Sequence, residues 1–205
     1  MPYVFKYRRK CDDCTFQCPI TRYRCEHVVA GSNAQCKRQQ YIGFSLCYQH
    51  LAIDAHLKIA PATNKEHGKG LFATNGTNNG DVVFKNGERI IKYNGEVLDK
   101  AELDDRYGGD AKDTAPYGYQ VNKNKYVDSA CLRSAGSLAN HKTLQKANAK
   151  LYFSTSDGDV YIRALRKIKN NEEIFVNYGR SYRFIDNHET KYVRPWVLPT
   201  AEHTS

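Results

Sequence analysis

Tight-turn residues punctuate the chain from about residue 58 onward and leave only short apolar runs between them. Asn-Gly pairs at 75–76, 86–87 and 94–95 supply the positive φ angles that hairpin turns need. Short apolar runs separated in this way are typical of strands in a compact β fold. The predicted strands cover 69–73, 82–84, 89–93, 117–121, 125–127, 151–153 and 160–165. We therefore expect a mainly β fold with few short helices, for which the candidates are 48–57, 101–107 and 134–140.

Cysteines are concentrated near the N-terminus, where six of the seven lie between Cys11 and Cys47. In a reducing cytosol such a cluster is more typical of a metal site than of a disulfide framework. The first 57 residues are too few to build much of a core, so metal binding would supply much of their folding free energy. We predict a small zinc-stabilised module at residues 1–57.

The spacing of these residues predicts one zinc site and suggests a second. In the first site three thiolates and one imidazole complete a tetrahedral shell. Its ligands are Cys25, Cys36, Cys47 and His50. The second set is Cys11, Cys14 and Cys18, with His27 as the candidate fourth ligand. The alternatives are reduced, buried thiols for the first set and a frayed, partly oxidised tail for the second.

The segment that ends at His50 resembles a short zinc-binding motif of large DNA virus proteins. The resemblance rests on Gly31, on Cys36-Lys37-Arg38 and on Cys47-Tyr48-x-His50. It implies a viral origin for the chain.

Basic residues outnumber acidic ones, with 31 Lys and Arg against 22 Asp and Glu and a formal net charge of +9. Such a surface attracts anionic partners, among them nucleic acid, acidic protein patches and nucleosomes. No apolar run approaches the roughly 20 residues that span a bilayer. The N-terminus lacks the apolar stretch of a secretory signal. We therefore expect an intracellular protein.

Three separated segments of the chain carry a second resemblance. A shorter segment that belongs to the same pattern, Tyr93-Asn94-Gly95-Glu96-Val97, lies between the first and the second of them. The three segments read Gly-Lys-Gly-Leu-Phe-Ala at 68–73, Gly-Ser-Leu-Ala-Asn-His at 136–141, and a basic run ending in Glu-Glu-Ile at 174. Asp128-Ser129-Ala130, Asn148-Ala149 and Tyr178-Gly179 complete the pattern. In this order they resemble the SET-domain lysine methyltransferases over residues 58–184, which implies a knot-like β fold.

The resemblance also implies a role for individual residues. S-adenosylmethionine would lie in a surface pocket, and the substrate lysine would enter by a channel from the opposite face. The cofactor-binding residues would be Gly68, Lys69, Gly70, Leu71, Asn140 and His141. The catalytic tyrosines would be Tyr178 and Tyr93, with Tyr117 and Tyr182 in the substrate channel. The alternative interpretations are that His141 is a histidine of the core and that the tyrosines only pack on their strands.

Methyl transfer to lysine explains why tyrosines suit this pattern. An in-line displacement by a neutral amine needs alignment above all. An apolar aromatic channel favours the neutral amine by lowering the lysine pKa. Aromatic faces also stabilise the cationic methylated product.

The sequence departs from the family pattern at three positions. Lys142 stands where the family has Ser, Ala147 where it has Pro, and Asn171 where it has Gly, although Asn also tolerates positive φ. No cysteine follows Cys131, so the zinc-binding segment that closes the channel in many relatives is absent. Tyr182, Phe184 and the tail at 185–205, with Trp196, are the candidates to close it.

We predict an S-adenosylmethionine-dependent protein-lysine methyltransferase of chromatin that acts on histone or other basic tails. Nucleosome or DNA contact would use the basic surface, in the host nucleus, a viral factory or a virion. Asp99, Glu102, Asp104 and Asp105 would either form an acidic groove for the tail or cap a short helix. Two alternatives are a weak or inactive SET scaffold whose zinc module binds DNA or a protein partner, and a methyltransferase for non-histone proteins.

Overall fold

The computed structural model describes residues 3–8, 15–20, 24–40, 44–76, 81–107 and 115–179, with side chains from residue 24 onward. Over these residues the protein is mainly β, with two short α-helices, α1 (Tyr48–Asp54) and α2 (Lys100–Tyr107). Single 3₁₀ turns occupy Lys65–His67 and Ala135–Leu138. The strands are β1 (Tyr3–Arg8), β2 (Thr15–Ile20), β3 (Val28–Val29), β4 (Ala34–Gln35), β5 (Leu57–Pro61), β6 (Lys69–Ala73), β7 (Val82–Phe84), β8 (Arg89–Lys92), β9 (Glu96–Leu98), β10 (Gly118–Asn122), β11 (Lys125–Asp128), β12 (Asn140–His141), β13 (Ala149–Phe153), β14 (Val160–Ala164), β15 (Ile168–Lys169) and β16 (Phe175–Val176). The predicted mainly β fold is confirmed.

The central sheet has five strands in the order β12-β16-β13-β14-β8. β16 pairs in parallel with both β12 and β13, while β13, β14 and β8 are antiparallel. Because β16 lies between two strands that are close in sequence, the last described segment is inserted into an earlier one. This is the knot-like arrangement that the sequence predicted. Smaller sheets are β10-β11-β9 and the pairs β1-β2, β3-β4, β5-β6 and β15-β7.

The helix α1 links the cysteine module to the central core. Leu51 of α1, Leu57 of β5 and Leu71 of β6 are buried in one hydrophobic cluster. The predicted helix over 48–57 is too long, because His56 adopts a positive φ of 53° that a continuing helix does not allow. Leu57 therefore already begins β5, next to the predicted domain boundary at 57–58.

The segment predicted to be helical at 134–140 forms only the 3₁₀ turn Ala135–Leu138. Gly136 packs closely in this turn, where an added Cβ would lie 3.2 Å from Ile162 and 3.3 Å from Ile91. The chain then extends into β12, whose pairing with β16 replaces further helical hydrogen bonds. The pairing of β12 with a strand distant in sequence thus outweighs the local helical pattern.

Helix α2 packs on the β10-β11-β9 sheet through a buried charge network. Asp128 is fully buried and accepts hydrogen bonds from Arg106 at 2.8 Å and from Tyr107 at 2.9 Å. Arg106 also bonds Glu96 at 2.7 Å, so one cation is held between two carboxylates. Burial raises the pKa of the Asp128 carboxyl, against the opposing effect of these hydrogen bonds.

The acidic residues at the start of α2 cap the helix. The backbone N–H of Asp99 donates to Glu102 at 2.8 Å, and that of Glu102 donates to Asp99 at 2.8 Å. This reciprocal pair is a capping box. Asp104 is paired with Lys100 one turn away. Of the two interpretations of these acids, the structure favours helix capping over an acidic groove.

No helix in the described ranges is both long and apolar enough to cross a bilayer.

Replacing Arg106 should destabilise the fold strongly, because the change leaves the buried Asp128 carboxylate with one fewer partner. We expect Arg106→Gln to lower the free energy of unfolding by about 3 kcal/mol. Lys100→Gln breaks an exposed ion pair of the same helix and should cost about 0.5 kcal/mol or less. Urea unfolding at neutral pH measures both.

The loss in the free energy of unfolding caused by Arg106→Gln should become smaller as the pH falls. The folded-state pKa of Asp128 lies above its unfolded value, so the folded protein takes up the proton more readily and gains stability as the carboxyl is protonated. Equal, pH-independent losses in the two variants would contradict the role given to this network.

Candidate functional site

The four residues of the first predicted zinc site lie together and are buried. The ligand atoms of Cys25, Cys36, Cys47 and His50 all lie within 4.8 Å of one another. Nδ1 of His50 faces the Sγ atoms of Cys25 at 3.4 Å and Cys47 at 3.5 Å. Cys47 precedes α1 and His50 lies in its first turn, which directs both side chains to one side. Three sulfurs and one nitrogen match a closed, tetrahedral zinc site.

Backbone donors around the sulfurs suit thiolates. The N–H of Cys47 donates to Sγ of Cys25 at 3.2 Å, and the N–H of Arg38 donates to Sγ of Cys36 at 3.4 Å. The bond from Arg38 lowers the pKa of Cys36, whereas burial raises the pKa of Cys25. A bound cation would favour the thiolate form of all three sulfurs. The cluster could therefore hold a zinc ion.

His27, the candidate ligand of a second zinc site, packs against the first site. Its ring stacks on His50 at 3.7 Å, and its Nδ1 contacts Asp54 at 2.6 Å. Cys11 and Cys14 lie outside the described residues, as does the side chain of Cys18. The second site stays a prediction.

The three separated segments of the SET resemblance meet at β12. On one side, Tyr178 donates its backbone N–H to Nδ1 of His141 at 3.1 Å and its hydroxyl to the Ala139 carbonyl at 2.9 Å. On the other side, the side-chain amide of Asn140 donates to the Lys69 carbonyl at 3.1 Å. The structure thus brings together the predicted residues at 68–71, 140–141 and 178.

We name the meeting place of residues 68–71, 140–141 and 178 the junction. Glu173 holds the junction together, although the sequence pattern gave this residue no separate role. This carboxylate is 3% exposed and accepts from Asn140 at 2.8 Å and from the N–H of Thr63 at 2.8 Å. A Cβ at residue 70 would lie 2.3 Å from the Glu173 oxygen, so any other residue there would displace this carboxylate from its hydrogen bonds. The only sequence signal was the Glu-Glu pair in the third segment.

Gly68 is required for a different reason. Its φ is +72°, a conformation that L side chains rarely adopt, and no atom lies within 4 Å of an added Cβ. The backbone of Gly68 therefore borders open space beside the junction.

Tyr178 also lines a cavity of about 50 Å³. Rings of four tyrosines, Tyr93, Tyr117, Tyr119 and Tyr178, line it together with apolar residues of the central sheet that include Leu151, Ile162 and Val176. Sequence reasoning missed Tyr119, because only the pairing of β10 with β11 shows which face of the strand it occupies. Tyr182 lies outside the described residues.

The hydroxyl protons of two of these tyrosines are already engaged. Tyr93 donates to the Tyr117 carbonyl at 2.9 Å, and Tyr178 donates to the Ala139 carbonyl. A phenolic oxygen whose proton is donated can still accept a hydrogen bond. Burial, with a contribution from Asp128, raises the pKa of Tyr93 well above its usual value, which keeps this phenol neutral.

The His141 side chain is neutral, whereas the side chain of its neighbour Lys142 is charged and contacts a different part of the protein. Burial, aided by the nearby His67, lowers the pKa of His141, so the imidazole beside the junction is neutral at physiological pH. The ammonium of Lys142 lies 4.8 Å from the centre of the Phe175 ring, which does not line the tyrosine cavity. The departure from Ser at 142 therefore leaves this cavity undisturbed.

The other two departures also fit the fold. Asn171 adopts a φ of 65°, which confirms that Asn replaces Gly at a left-handed position. Ala147 is buried and precedes Asn148, whose side chain accepts from the Phe175 N–H at 2.8 Å and donates to the Glu173 carbonyl at 2.8 Å.

Comparison with known proteins gives consistent matches. The Variant-silencing SET domain-containing protein of Plasmodium falciparum is 30% identical over 190 residues, which are 87% of this chain and 7% of that protein. Histone-lysine N-methyltransferase MEDEA of Arabidopsis thaliana is 25% identical over 178 residues, 85% of this chain and 23% of that protein. The chain thus spans less than a quarter of the length of either relative.

A chain in a solved structure of ctPRC2 has the same fold, with a TM-score of 0.50 and 23% sequence identity over 63% of this chain and 15% of that one. The SET domain family model matches residues 68–179, which contain the glycine loop, the Asn140-His141 strand and Tyr178. This match covers more than half of the 205 residues, and the chain therefore belongs to the SET domain family.

Proposed function

We propose that this protein is an S-adenosylmethionine-dependent protein-lysine N-methyltransferase that acts on histone tails. The observation that carries the proposal is the position of Tyr178, between the glycine-loop and Asn140-His141 junction and the tyrosine-lined cavity. SET methyltransferases use S-adenosylmethionine, and relatives named histone-lysine methyltransferases support histone as the substrate.

The junction provides the proposed cofactor site. Gly68, Lys69, Gly70 and Leu71 would hold the cofactor through backbone groups on one side, and Asn140 and His141 on the other. The open space at Gly68 and the neutral His141 imidazole both suit a positively charged ligand. S-adenosylmethionine supplies a methyl group on a cationic sulfur when it is bound there.

The tyrosine cavity would hold the side chain of the substrate lysine. Its partly buried wall of tyrosines and apolar residues favours the neutral amine, which is the nucleophile, over the ammonium. Tyr178 and Tyr93 line this space and donate their hydroxyl protons to backbone carbonyls, and we propose that their oxygens accept hydrogen bonds from the amine. We assign Tyr178 and Tyr93 to alignment of the amine, and Tyr117 and Tyr119 to the cavity wall.

The remaining assignments follow from this function. We propose a zinc module at 1–57, a SET domain at 58–184 and a tail at 185–205 that closes the substrate channel. A histone substrate implies a nuclear location and contact with nucleosomes. The viral character of the cysteine motif stays a prediction from the sequence.

Tyr178→Phe tests the catalytic assignment. Because the change removes an acceptor that aligns the amine, we expect kcat to fall at least about 100-fold while cofactor binding changes little. Transfer of labelled methyl groups to nucleosomes, mapped by mass spectrometry, measures the rate, and calorimetry measures cofactor binding. Tyr161→Phe removes a hydroxyl outside the site and serves as the control. Equal rates in the two variants, or no transfer by the wild-type protein to any histone, would refute the proposal.

Cys47→Ser tests the metal site. We expect this variant to bind one zinc ion per chain fewer than the wild type and to lose about 3 kcal/mol of stability, or about 6–12 °C in melting temperature. Elemental analysis and thermal unfolding measure these quantities. His56→Asn, which removes an exposed imidazole near the cluster and keeps a residue that tolerates positive φ, is the control. An unchanged zinc content in Cys47→Ser would rule out the cluster as a zinc site.

A further inference from the structure

Three cations stand side by side on the outer face of the central sheet. In the strand register Lys150 of β13 faces Arg163 of β14, and Arg163 faces Arg89 of β8. All three side chains are exposed. Leu151, which follows Lys150, and Ile162, which precedes Arg163, line the tyrosine cavity on the inner face of the same strands. Adjacent strands lie about 4.8 Å apart, so the backbone positions of the three residues span about 10 Å across the sheet. We name Lys150, Arg163 and Arg89 the cation row.

The two members of the cation row that lack a carboxylate partner within the described ranges, Lys150 and Arg163, repel each other in the protein alone. Like charges directly opposite each other on neighbouring strands destabilise a sheet. Of the three, only Arg89 has a carboxylate partner among the described residues, Asp157 at 2.8 Å. Lys150 and Arg163 form no ion pair within the described part of the chain. An anion bound across the row would remove this repulsion.

The two guanidinium groups of the row are held in place by neighbouring rings. Arg89 lies 4.2 Å from the centre of the Tyr161 ring and donates to the Tyr152 hydroxyl at 2.7 Å. Arg163 lies 5.3 Å from the centre of the Tyr152 ring and donates to the Gly87 carbonyl at 2.5 Å. Their side chains are ordered before any ligand arrives, which lowers the entropy cost of binding.

We infer that the cation row binds the phosphodiester backbone of double-stranded DNA. A DNA strand offers negative charges in a line, and arginine matches phosphate geometry better than any other side chain. The tyrosine rings of this face are covered by guanidinium groups, so they do not offer the open stacking platforms that single-stranded nucleic acid uses. The net charge of +9 adds long-range attraction for the same partner.

The inference deepens the proposed function, on which its biological setting rests. Because the cation row and the tyrosine cavity occupy opposite faces of the same strands, DNA on the row would leave the cavity open to a lysine. A histone tail and the DNA beside it could then be bound together. The binding itself does not depend on catalysis and can be measured separately.

The test is the salt dependence of binding to a labelled 30-base-pair duplex of mixed sequence. For Lys150→Gln/Arg163→Gln we expect at least about tenfold weaker binding near 0.1 M salt, and a fall of about 1.8 in the slope of log K against log salt, because each phosphate contact contributes about 0.9. The control Lys37→Gln/Lys123→Gln removes two exposed lysines from the cysteine module and the β10–β11 turn and should change the slope little. Methyl transfer to a short peptide should be the same in both double variants.

Several results would overturn the inference. These are equal losses of DNA binding in the two double variants, unchanged binding in Lys150→Gln/Arg163→Gln, or displacement of the duplex by polyglutamate as effectively as by unlabelled DNA. Thermal unfolding guards against a trivial loss, because both side chains are exposed and their replacement should leave the melting temperature close to that of the wild type. A variant that melts far below it would mark the two cations as structural. If the wild type transfers no methyl group but the row variant still loses DNA binding, the proposed function fails and this inference stands.

Discussion

The site depends on the short parallel pairing of β12 with β16, because this pairing sets every distance across the junction. β16 enters between β12 and β13, and Asn148 fixes it there by bonding the Phe175 N–H and the Glu173 carbonyl. Once β16 is in place, Tyr178 lies against His141 and Glu173 lies against Asn140. A shift of this strand by one residue would turn each side chain to the opposite face.

Features governed by local chemistry could be predicted from the sequence. Asn-Gly pairs marked the ends of strands, although none of the three predicted pairs joins two described strands that pair with each other, so the hairpins expected there were wrong. The spacing of Cys47 and His50 indicated a Cys/His cluster that helix geometry then explains. Glu173 and Tyr119 were missed because their roles come from partners far along the chain, Asn140 for one and the tyrosine cavity for the other. The short helix predicted at 134–140 failed for the same reason, since pairing with a distant strand outweighed its local pattern.

The distribution of acidic residues explains how a chain with a net charge of +9 can be proposed to act on a basic tail. Asp128 and Glu173 are buried as acceptors, while Asp99 and Glu102 cap α2. Acids with these structural roles do not form a groove for a cationic peptide. Under the proposed function, attraction to chromatin would instead come from the exposed cations and the DNA that accompanies the tail, and the tail lysine would be selected by the shape of the tyrosine cavity.

The cysteine module and the glycine loop share one core, which gives the metal cluster a consequence beyond its own stability. His50 is followed by Leu51, which packs in the same cluster as Leu57 and Leu71, and Leu71 follows Gly70 of the loop. β5 and β6 are paired along their whole length, so α1 and the loop are connected through two strands. An ion held by the cluster would fix the start of α1, and through Leu51 it would support the packing of Leu57 and Leu71. The Cys/His cluster and the glycine loop are therefore physically linked through this core, although none of the four cluster residues lies in the loop.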